Sequence, residues 1–189
     1  MPLLSEALTR ARLSRVGPCL GKKILDLGCG HGEILEFLPG GVEWVTLVDV
    51  SPVREPLVLN RLRRSGVQGR FLVADLGNPL PAFPESPFDT IVMAAVLEHL
   101  THPELVFRQL ASLLSSHGKL IVTTPTSLGG KLHGLGSLAG LTYREAAEEH
   151  HQFLDEKKLR DLAMLAGFRR ILYQRFLLNL NQLLVAEKE

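Results

Sequence analysis

Short apolar runs that end in an acidic residue recur along the first half of the chain. Three of them end at Asp26, Asp49 and Asp75, and similar runs occupy residues 88–94 and 119–124. A continuous apolar run of this length, rich in β-branched residues, is typical of a strand buried on both faces of a parallel sheet. The pattern therefore predicts five parallel strands, three of which end in a carboxylate.

Segments with helical features lie between and after these runs. Residues 52–65, 103–116 and 155–166 each begin or end at typical helix-boundary residues. Asp155 is a good N-cap for the last of them, and Gly167 ends it. Because strands alternate with helices, the expected fold is of the α/β class.

The C-terminal residues predict two more strands. Residues 168–176 and 181–187 are joined by a link too short for a crossover helix, so these strands must be antiparallel. The expected architecture is a three-layer sandwich around a seven-stranded, mostly parallel sheet with an antiparallel C-terminal hairpin. There is no internal repeat, so residues 1–189 are expected to form one domain, with an N-terminal helix within residues 1–20.

The segment 126–152 interrupts this alternation. It contains five glycines and then a polar run, and it lies between the fifth strand and the last helix. A long, glycine-rich insertion at such a place is a candidate lid over a substrate. A loop without a role in function is the alternative.

Composition excludes several classes of protein. The formal net charge of +1 gives no sign of a nucleic-acid partner. Cys19 and Cys29 do not form a CxxC pair, so no zinc site is indicated. There is no secretory signal and no apolar run of the ~18 residues that a membrane helix needs. We therefore expect a cytoplasmic protein without a membrane partner, and the oligomeric state is not predicted.

A Gly-x-Gly-x-Gly turn directly follows the first strand. Gly28 and Gly30 can adopt backbone angles closed to other residues and leave room for a ligand. A helix is expected to begin near Gly32, with its free N–H groups directed at the turn. The spacing differs from that of dinucleotide enzymes, because Glu33 occupies the position of their third glycine. A turn without any ligand is the alternative interpretation.

An acidic residue inside this motif indicates the charge of the ligand. Asp26 precedes Gly28 by two residues. Its carboxylate would repel a pyrophosphate, whereas it would accept a hydrogen bond from an ammonium group. Cys29 lies within the turn and is expected to be a small, buried residue there.

The end of the second strand predicts a ribose site. Asp49 follows Gly32 by 17 residues, close to the place where nucleotide-binding α/β folds position a carboxylate for both ribose hydroxyls. Val50 is then in position to pack on one face of an adenine ring. A solvated aspartate at the end of a strand is the alternative.

The motif at 24–32 and the three ordered acids resemble the class I S-adenosylmethionine-dependent methyltransferases, which have a Rossmann-like fold. The resemblance extends over residues 20–187 and implies S-adenosylmethionine as the cofactor. It implies that Asp75 accepts a hydrogen bond from the adenine amino group, that the backbone N–H of Leu76 faces the ring, and that the backbone of Ala94 contributes. The expected function is methyl transfer to an oxygen or nitrogen of an unidentified small-molecule acceptor.

The segment after the fourth strand contains the candidate catalytic residues Glu98 and His99. Its sequence resembles many small-molecule methyltransferases and also the metal-dependent O-methyltransferases that act on ubiquinone precursors and on small-RNA 3′ ends. Those enzymes have Glu-x-x-Glu-His here and another His before the last helix, which His151 matches best. Ala95 stands at the first Glu position, so we assign no metal ligand. Metal ligation, a metal-free role as base or substrate contact, and a structural role all stay open.

Two rival functions also stay open. A non-catalytic binding or scaffold protein of the same fold would bind the cofactor without turnover. An NAD-dependent oxidoreductase is opposed by the glycine spacing and by Asp26. The Asn/Asp-Pro-Pro-Tyr/Phe motif that suits the amino groups of bases or glutamine amides is missing, since residues 94–97 read Ala-Ala-Val-Leu.

Overall fold

A seven-stranded sheet forms the centre of the computed structural model, which describes residues 3–129 and 154–189. The strands are β1 (Lys23–Leu27), β2 (Trp44–Asp49), β3 (Gln68–Val73), β4 (Phe88–Ala94), β5 (Leu114–Pro125), β6 (Arg170–Phe176) and β7 (Asn181–Glu187). Their order across the sheet is β3-β2-β1-β4-β5-β7-β6. Strands β1 to β5 are parallel, and β7 is antiparallel to both of its neighbours. The predicted fold class is therefore confirmed.

Four α-helices lie wholly within the described part of the chain and flank the sheet. They are α1 (Leu3–Val16), α2 (Glu55–Ser65), α3 (Pro103–Leu113) and α4 (Glu156–Leu165). The predicted cap of α4 is present, because Oδ1 of Asp155 accepts the backbone N–H of Lys158 at 2.9 Å. None of the described helices is long and apolar enough to cross a membrane.

The core consists of two layers, one on each face of the sheet. Ile24 packs on one face with Val58 from α2, while Leu25 packs on the other face with Phe107 from α3. All four side chains are fully buried. Each such side chain contributes about 1.5–3 kcal/mol when it leaves water. The alternation along β1 gives the three-layer arrangement expected from the sequence.

Three predicted boundaries were wrong. The segment after the glycine turn is a single 3-10 turn, Glu33–Glu36, rather than the start of an α-helix, because the Pro-Gly-Gly sequence at 39–41 follows too soon. Strand β3 ends at Val73, two residues before Asp75. Strand β5 begins at Leu114, where it pairs with Phe88 across an irregularity in the ladder, and α3 is shorter as a result.

The order of the strands creates a crevice at one edge of the sheet. From β1 the chain proceeds outward to β2 and β3, and then returns to place β4 on the opposite side of β1. In open α/β sheets, ligands bind where the order reverses in this way, outside the carboxyl ends of the strands. The crevice here lies between the ends of β1 and β4.

Candidate functional site

The glycine turn at the end of β1 is held by the neighbouring strand. The backbone N–H groups of Gly28 and Cys29 both donate to the carbonyl of Val48, at 2.8 and 2.9 Å. Gly28 and Gly30 have φ values of 71° and 59°, in a backbone region that residues with a Cβ rarely adopt. A Cβ on Gly28 would also overlap the side chain of Val96, which follows β4. Both glycines are therefore required by the backbone geometry.

Asp49, at the end of β2, contacts this turn directly. Its Oδ2 accepts the Gly30 N–H at 2.9 Å and Nη1 of Arg54 at 2.9 Å. Its Oδ1 accepts the Ser51 N–H at 3.0 Å. The side chain is only 5% exposed. The carboxylate predicted to bind ribose thus lies beside the glycine turn, and Arg54 is a neighbour that the sequence reasoning missed.

Asp26 is a buried carboxyl group at the end of β1. It is 3% exposed, and no hydrogen-bond donor within residues 3–129 and 154–189 reaches its side chain. Burial, and to a lesser extent the charges of Glu33 and Asp49, raise the pKa of Asp26 to about 8. A buried carboxyl group that receives no hydrogen bond from these residues is well suited to accept one from a ligand. A cationic donor on the ligand would favour the ionised form of Asp26.

Glu33 closes the outer side of the turn, a role that the sequence reasoning did not assign. Its Oε2 accepts the His31 N–H at 3.0 Å and would lie 3.2 Å from a Cβ on Gly30. Oε1 lies 3.2 Å from Nδ1 of His31. The sequence did contain an indication of this role, because Glu33 occupies the position of the third glycine of the dinucleotide motif.

The thiol of Cys29 is 6% exposed. Burial, and then the charges of Asp26 and Asp49, raise the pKa of this thiol far above its ordinary value. It is therefore a neutral thiol, in agreement with the small, buried residue predicted for this position.

Two exposed apolar side chains lie next to Asp49. Val50 follows it in the chain, Val73 pairs with it at the end of β3, and they are 63% and 50% exposed. Leu76 is buried, at 9% exposure. Exposed aliphatic side chains beside a carboxylate suit the faces of an aromatic ring next to a polyhydroxyl group.

Asp75 lies apart from the two other acids. It is exposed, and its Oδ1 accepts the Gly77 N–H at 2.8 Å while its Oδ2 accepts Nδ2 of Asn78 at 2.9 Å. The carboxylate is thus occupied by its own loop, because β3 ends before it. The expectation of three carboxylates along one edge holds for Asp26 and Asp49, whereas Asp75 is displaced into a connection.

Glu98 lies in a buried polar region next to the crevice. It is 2% exposed, and its Oε2 accepts the hydroxyl of Thr124 at 2.9 Å. Arg12 of α1 donates from Nε to Oδ1 of Asn181 at 2.9 Å. Burial lowers the pKa of Arg12, and the charge of Glu98 partly offsets this effect. The carboxylate of Glu98 is therefore held in the interior by a hydrogen bond from β5.

His99 is half-buried in the 3-10 turn Leu97–His99, and its N–H donates to the carbonyl of Val96 at 3.0 Å. Ala94, at the end of β4, is half-buried as well. The third catalytic candidate, His151, lies outside the described residues, as does most of the predicted lid at 126–152. Within the described ranges, no three His, Cys, Asp or Glu side chains are close enough to share a metal ion.

Comparisons with known proteins identify relatives of this chain. A family model described as a methyltransferase domain matches residues 4–173. The chain is 34% identical over 122 residues to the ubiquinone biosynthesis O-methyltransferase of Xanthomonas euvesicatoria, a match that covers 63% of this chain and 51% of that protein. It is 29% identical over 174 residues to the ubiquinone/menaquinone biosynthesis C-methyltransferase of Pseudomonas fluorescens, covering 81% and 67% respectively. The chain thus spans about half the length of the first relative.

A solved structure has the same fold. The magnesium protoporphyrin IX methyltransferase of Synechocystis, determined with SAH bound, superposes with a TM-score of 0.64 at 22% identity. The match covers 97% of this chain and 81% of that one.

Proposed function

Because the chain belongs to the methyltransferase-domain family, we propose that it transfers the methyl group of S-adenosylmethionine to an oxygen or nitrogen atom of a small molecule. The observation that carries the proposal is the pair of carboxyl groups at the ends of β1 and β2. Asp26 is buried without a donor among the described residues, and Asp49 lies against the glycine turn. Together they suit a ligand that has both an ammonium group and a vicinal diol.

The residues present fit this cofactor. Asp26 would accept from its amino group, and Asp49 from its ribose hydroxyls. Val50 and Val73 would flank the adenine, and the N–H of Leu76 would face the ring. When bound, S-adenosylmethionine supplies an electrophilic methyl group on a sulfonium whose leaving group is a neutral thioether. The role of the protein is to place the acceptor in line with that methyl group and to exclude water.

We assign the acceptor side to the segment after β4 and to the insertion. His99 is half-buried, and its N–H donates to the carbonyl of Val96, the residue that packs against Gly28 of the glycine turn, so His99 is the candidate base or acceptor contact. Glu98 precedes His99, and its buried carboxylate accepts the hydroxyl of Thr124. His151 is a second candidate base, on the ground of its sequence context alone.

Oxygen is the favoured acceptor atom because of the similarity to the Xanthomonas O-methyltransferase. Carbon methylation is a second candidate, since the match to the Pseudomonas C-methyltransferase covers more of the chain. A non-catalytic binding protein remains the rival from another class. The similarity to methyltransferases of ubiquinone and menaquinone biosynthesis favours a small aromatic or quinone-like acceptor over a macromolecule.

The test is a transfer assay with S-adenosylmethionine carrying a labelled methyl group. Phenols, amines and electron-rich ring carbons are offered in parallel, with and without a divalent metal. The expected result is label in a phenol, located on oxygen by mass spectrometry, and loss of transfer in Asp49→Asn. Cofactor binding without transfer to any acceptor would support the non-catalytic rival and contradict the proposal.

A further inference from the structure

The proposed ribose acceptor already holds a cation. Arg54, the last residue of the 3-10 turn Pro52–Arg54, donates from Nη1 to Oδ2 of Asp49 at 2.9 Å. The same oxygen accepts the backbone N–H of Gly30 at 2.9 Å. The other oxygen, Oδ1, accepts the Ser51 N–H at 3.0 Å. These three donors leave little of the carboxylate available.

The number of free acceptor sites on the Asp49 carboxylate limits how a diol can bind. A carboxylate has about four lone-pair sites, two on each oxygen. Oδ2 of Asp49 uses both of its sites, whereas Oδ1 uses one. A vicinal diol that binds one carboxylate places one hydroxyl on each oxygen. The second hydroxyl therefore requires that one donor leave Oδ2.

Arg54 is the donor that can leave. The N–H of Gly30 belongs to a backbone turn that is fixed by the bonds from Gly28 and Cys29 to Val48. The side chain of Arg54 is 37% exposed and has several rotatable bonds. Its Nη1 would lie 3.8 Å from a Cβ on Gly30, so the guanidinium covers the outer face of the turn. Moving it exposes the acceptor without disturbing the backbone.

We propose that Arg54 sets the affinity for the cofactor by competing with the ribose hydroxyls for Asp49. The inference rests on the proposed function, because it takes Asp49 as the ribose acceptor. Ribose binding breaks the ion pair, and the guanidinium moves to solvent. Because salt weakens a partly exposed ion pair, affinity for an uncharged nucleoside rises with ionic strength.

The test uses nucleosides without charge, since the charges of S-adenosylmethionine would add a salt dependence of their own. Adenosine has the diol, and 2′,3′-dideoxyadenosine lacks it. Arg54→Gln removes the competing cation. Arg61→Gln is the matched control, because it removes the same charge from α2 and the Arg61 side chain is 31% exposed, with Nη1 lying 3.4 Å from Glu36. Affinities are measured by calorimetry at about 50 mM and about 500 mM NaCl.

At low salt, Arg54→Gln is expected to bind adenosine about five- to tenfold more tightly than the wild type, and the difference is expected to shrink at high salt. Dideoxyadenosine should bind both proteins equally, and Arg61→Gln should behave as the wild type. Equal or weaker adenosine binding by Arg54→Gln overturns the inference. If adenosine binds neither protein, or no better than dideoxyadenosine in either, Asp49 is not the ribose acceptor and the proposed cofactor site fails as well.

Discussion

Gly28 lies so close to Val96 that a Cβ on the glycine would overlap Cγ2 of the valine. This contact joins the turn after β1 to the segment after β4, the two sides of the crevice. The turn proposed to hold the cofactor and the segment proposed to face the acceptor therefore depend on each other for their positions.

Gly28→Ala is expected to destabilise the protein by about 2–4 kcal/mol. Alanine is strained in the left-handed backbone conformation of this position, and its Cβ would overlap the side chain of Val96. Chemical denaturation would measure the change. Val96→Ala in the same chain should recover part of the loss, because it removes the clash and leaves only the strained φ of 71°. Purely additive effects of the two substitutions would contradict the contact.

Ala95→Gly is expected to raise stability by about 0.5–1 kcal/mol, since Ala95 has a φ of 59° that glycine adopts without strain. Its N–H bond to the carbonyl of Thr123, at 2.8 Å, is kept in the variant. Ala94→Gly is the matched control and should lower stability, because Ala94 ends a strand with ordinary backbone angles. A loss of stability in Ala95→Gly would contradict this prediction.

Asp26→Asn is expected to stabilise the protein at alkaline pH and much less at acidic pH. The folded wild type retains its proton up to a pKa of about 8, whereas the unfolded chain loses it near 3.8. Wild-type stability therefore falls as pH rises through that window, and the amide removes the effect. Urea unfolding of both proteins at about pH 5 and about pH 8 tests this prediction. The same difference in unfolding free energy between variant and wild type at both pH values would contradict it.

The same variant provides a test of the ammonium site. Asp26→Asn should weaken the binding of S-adenosylhomocysteine, which has an amino group, and should leave adenosine affinity nearly unchanged. Equal weakening of both ligands would show that the substitution distorts the turn as a whole.

Thr124→Val and Thr123→Val form a matched pair on β5. Thr124 donates its hydroxyl to the buried Glu98, so its replacement is expected to cost about 1–3 kcal/mol. The buried hydroxyl of Thr123 has no partner among the described residues, so its replacement should be neutral or slightly stabilising. Thermal unfolding of both variants measures the difference, and a larger loss from Thr123→Val would contradict the assignment.

His99→Ala and His151→Ala are each expected to lower turnover and to spare cofactor affinity. His150→Ala is the control for the second variant, because it removes the neighbouring imidazole. Steady-state kinetics on an identified acceptor, with calorimetry for the cofactor, separates the two effects. Unchanged turnover in His151→Ala would assign that residue to the structure of its segment.

Much of the fold could be predicted from the sequence, since buried parallel strands leave continuous apolar runs and the C-terminal hairpin has no room for a helix. The seven-stranded, mostly parallel sheet and its antiparallel C-terminal hairpin are confirmed. Membership of the class I S-adenosylmethionine-dependent methyltransferases is also confirmed. It could be predicted because the glycine motif and the acidic residues after the strands have a characteristic spacing in the sequence.

The side-chain contacts of the site could not be predicted in the same way. Whether Asp75 turns to its own loop depends on where β3 ends, and that is decided by pairing with β2. Arg54 follows Asp49 by only five residues, but its approach depends on the 3-10 turn Pro52–Arg54 and on the side-chain conformation. The burial of Glu98 depends on packing against β5, which is distant in sequence. Neither feature is specified by a local sequence pattern.

The most direct test of the cofactor site is calorimetric titration of ligand-free wild type and Asp49→Asn with S-adenosylhomocysteine and NAD. The wild type is expected to bind S-adenosylhomocysteine in the micromolar range and not NAD, and Asp49→Asn should lose about 100-fold in affinity, because a charged acceptor is removed from two hydroxyls. Equal affinity of both proteins for S-adenosylhomocysteine, or preferential binding of NAD, would contradict the account.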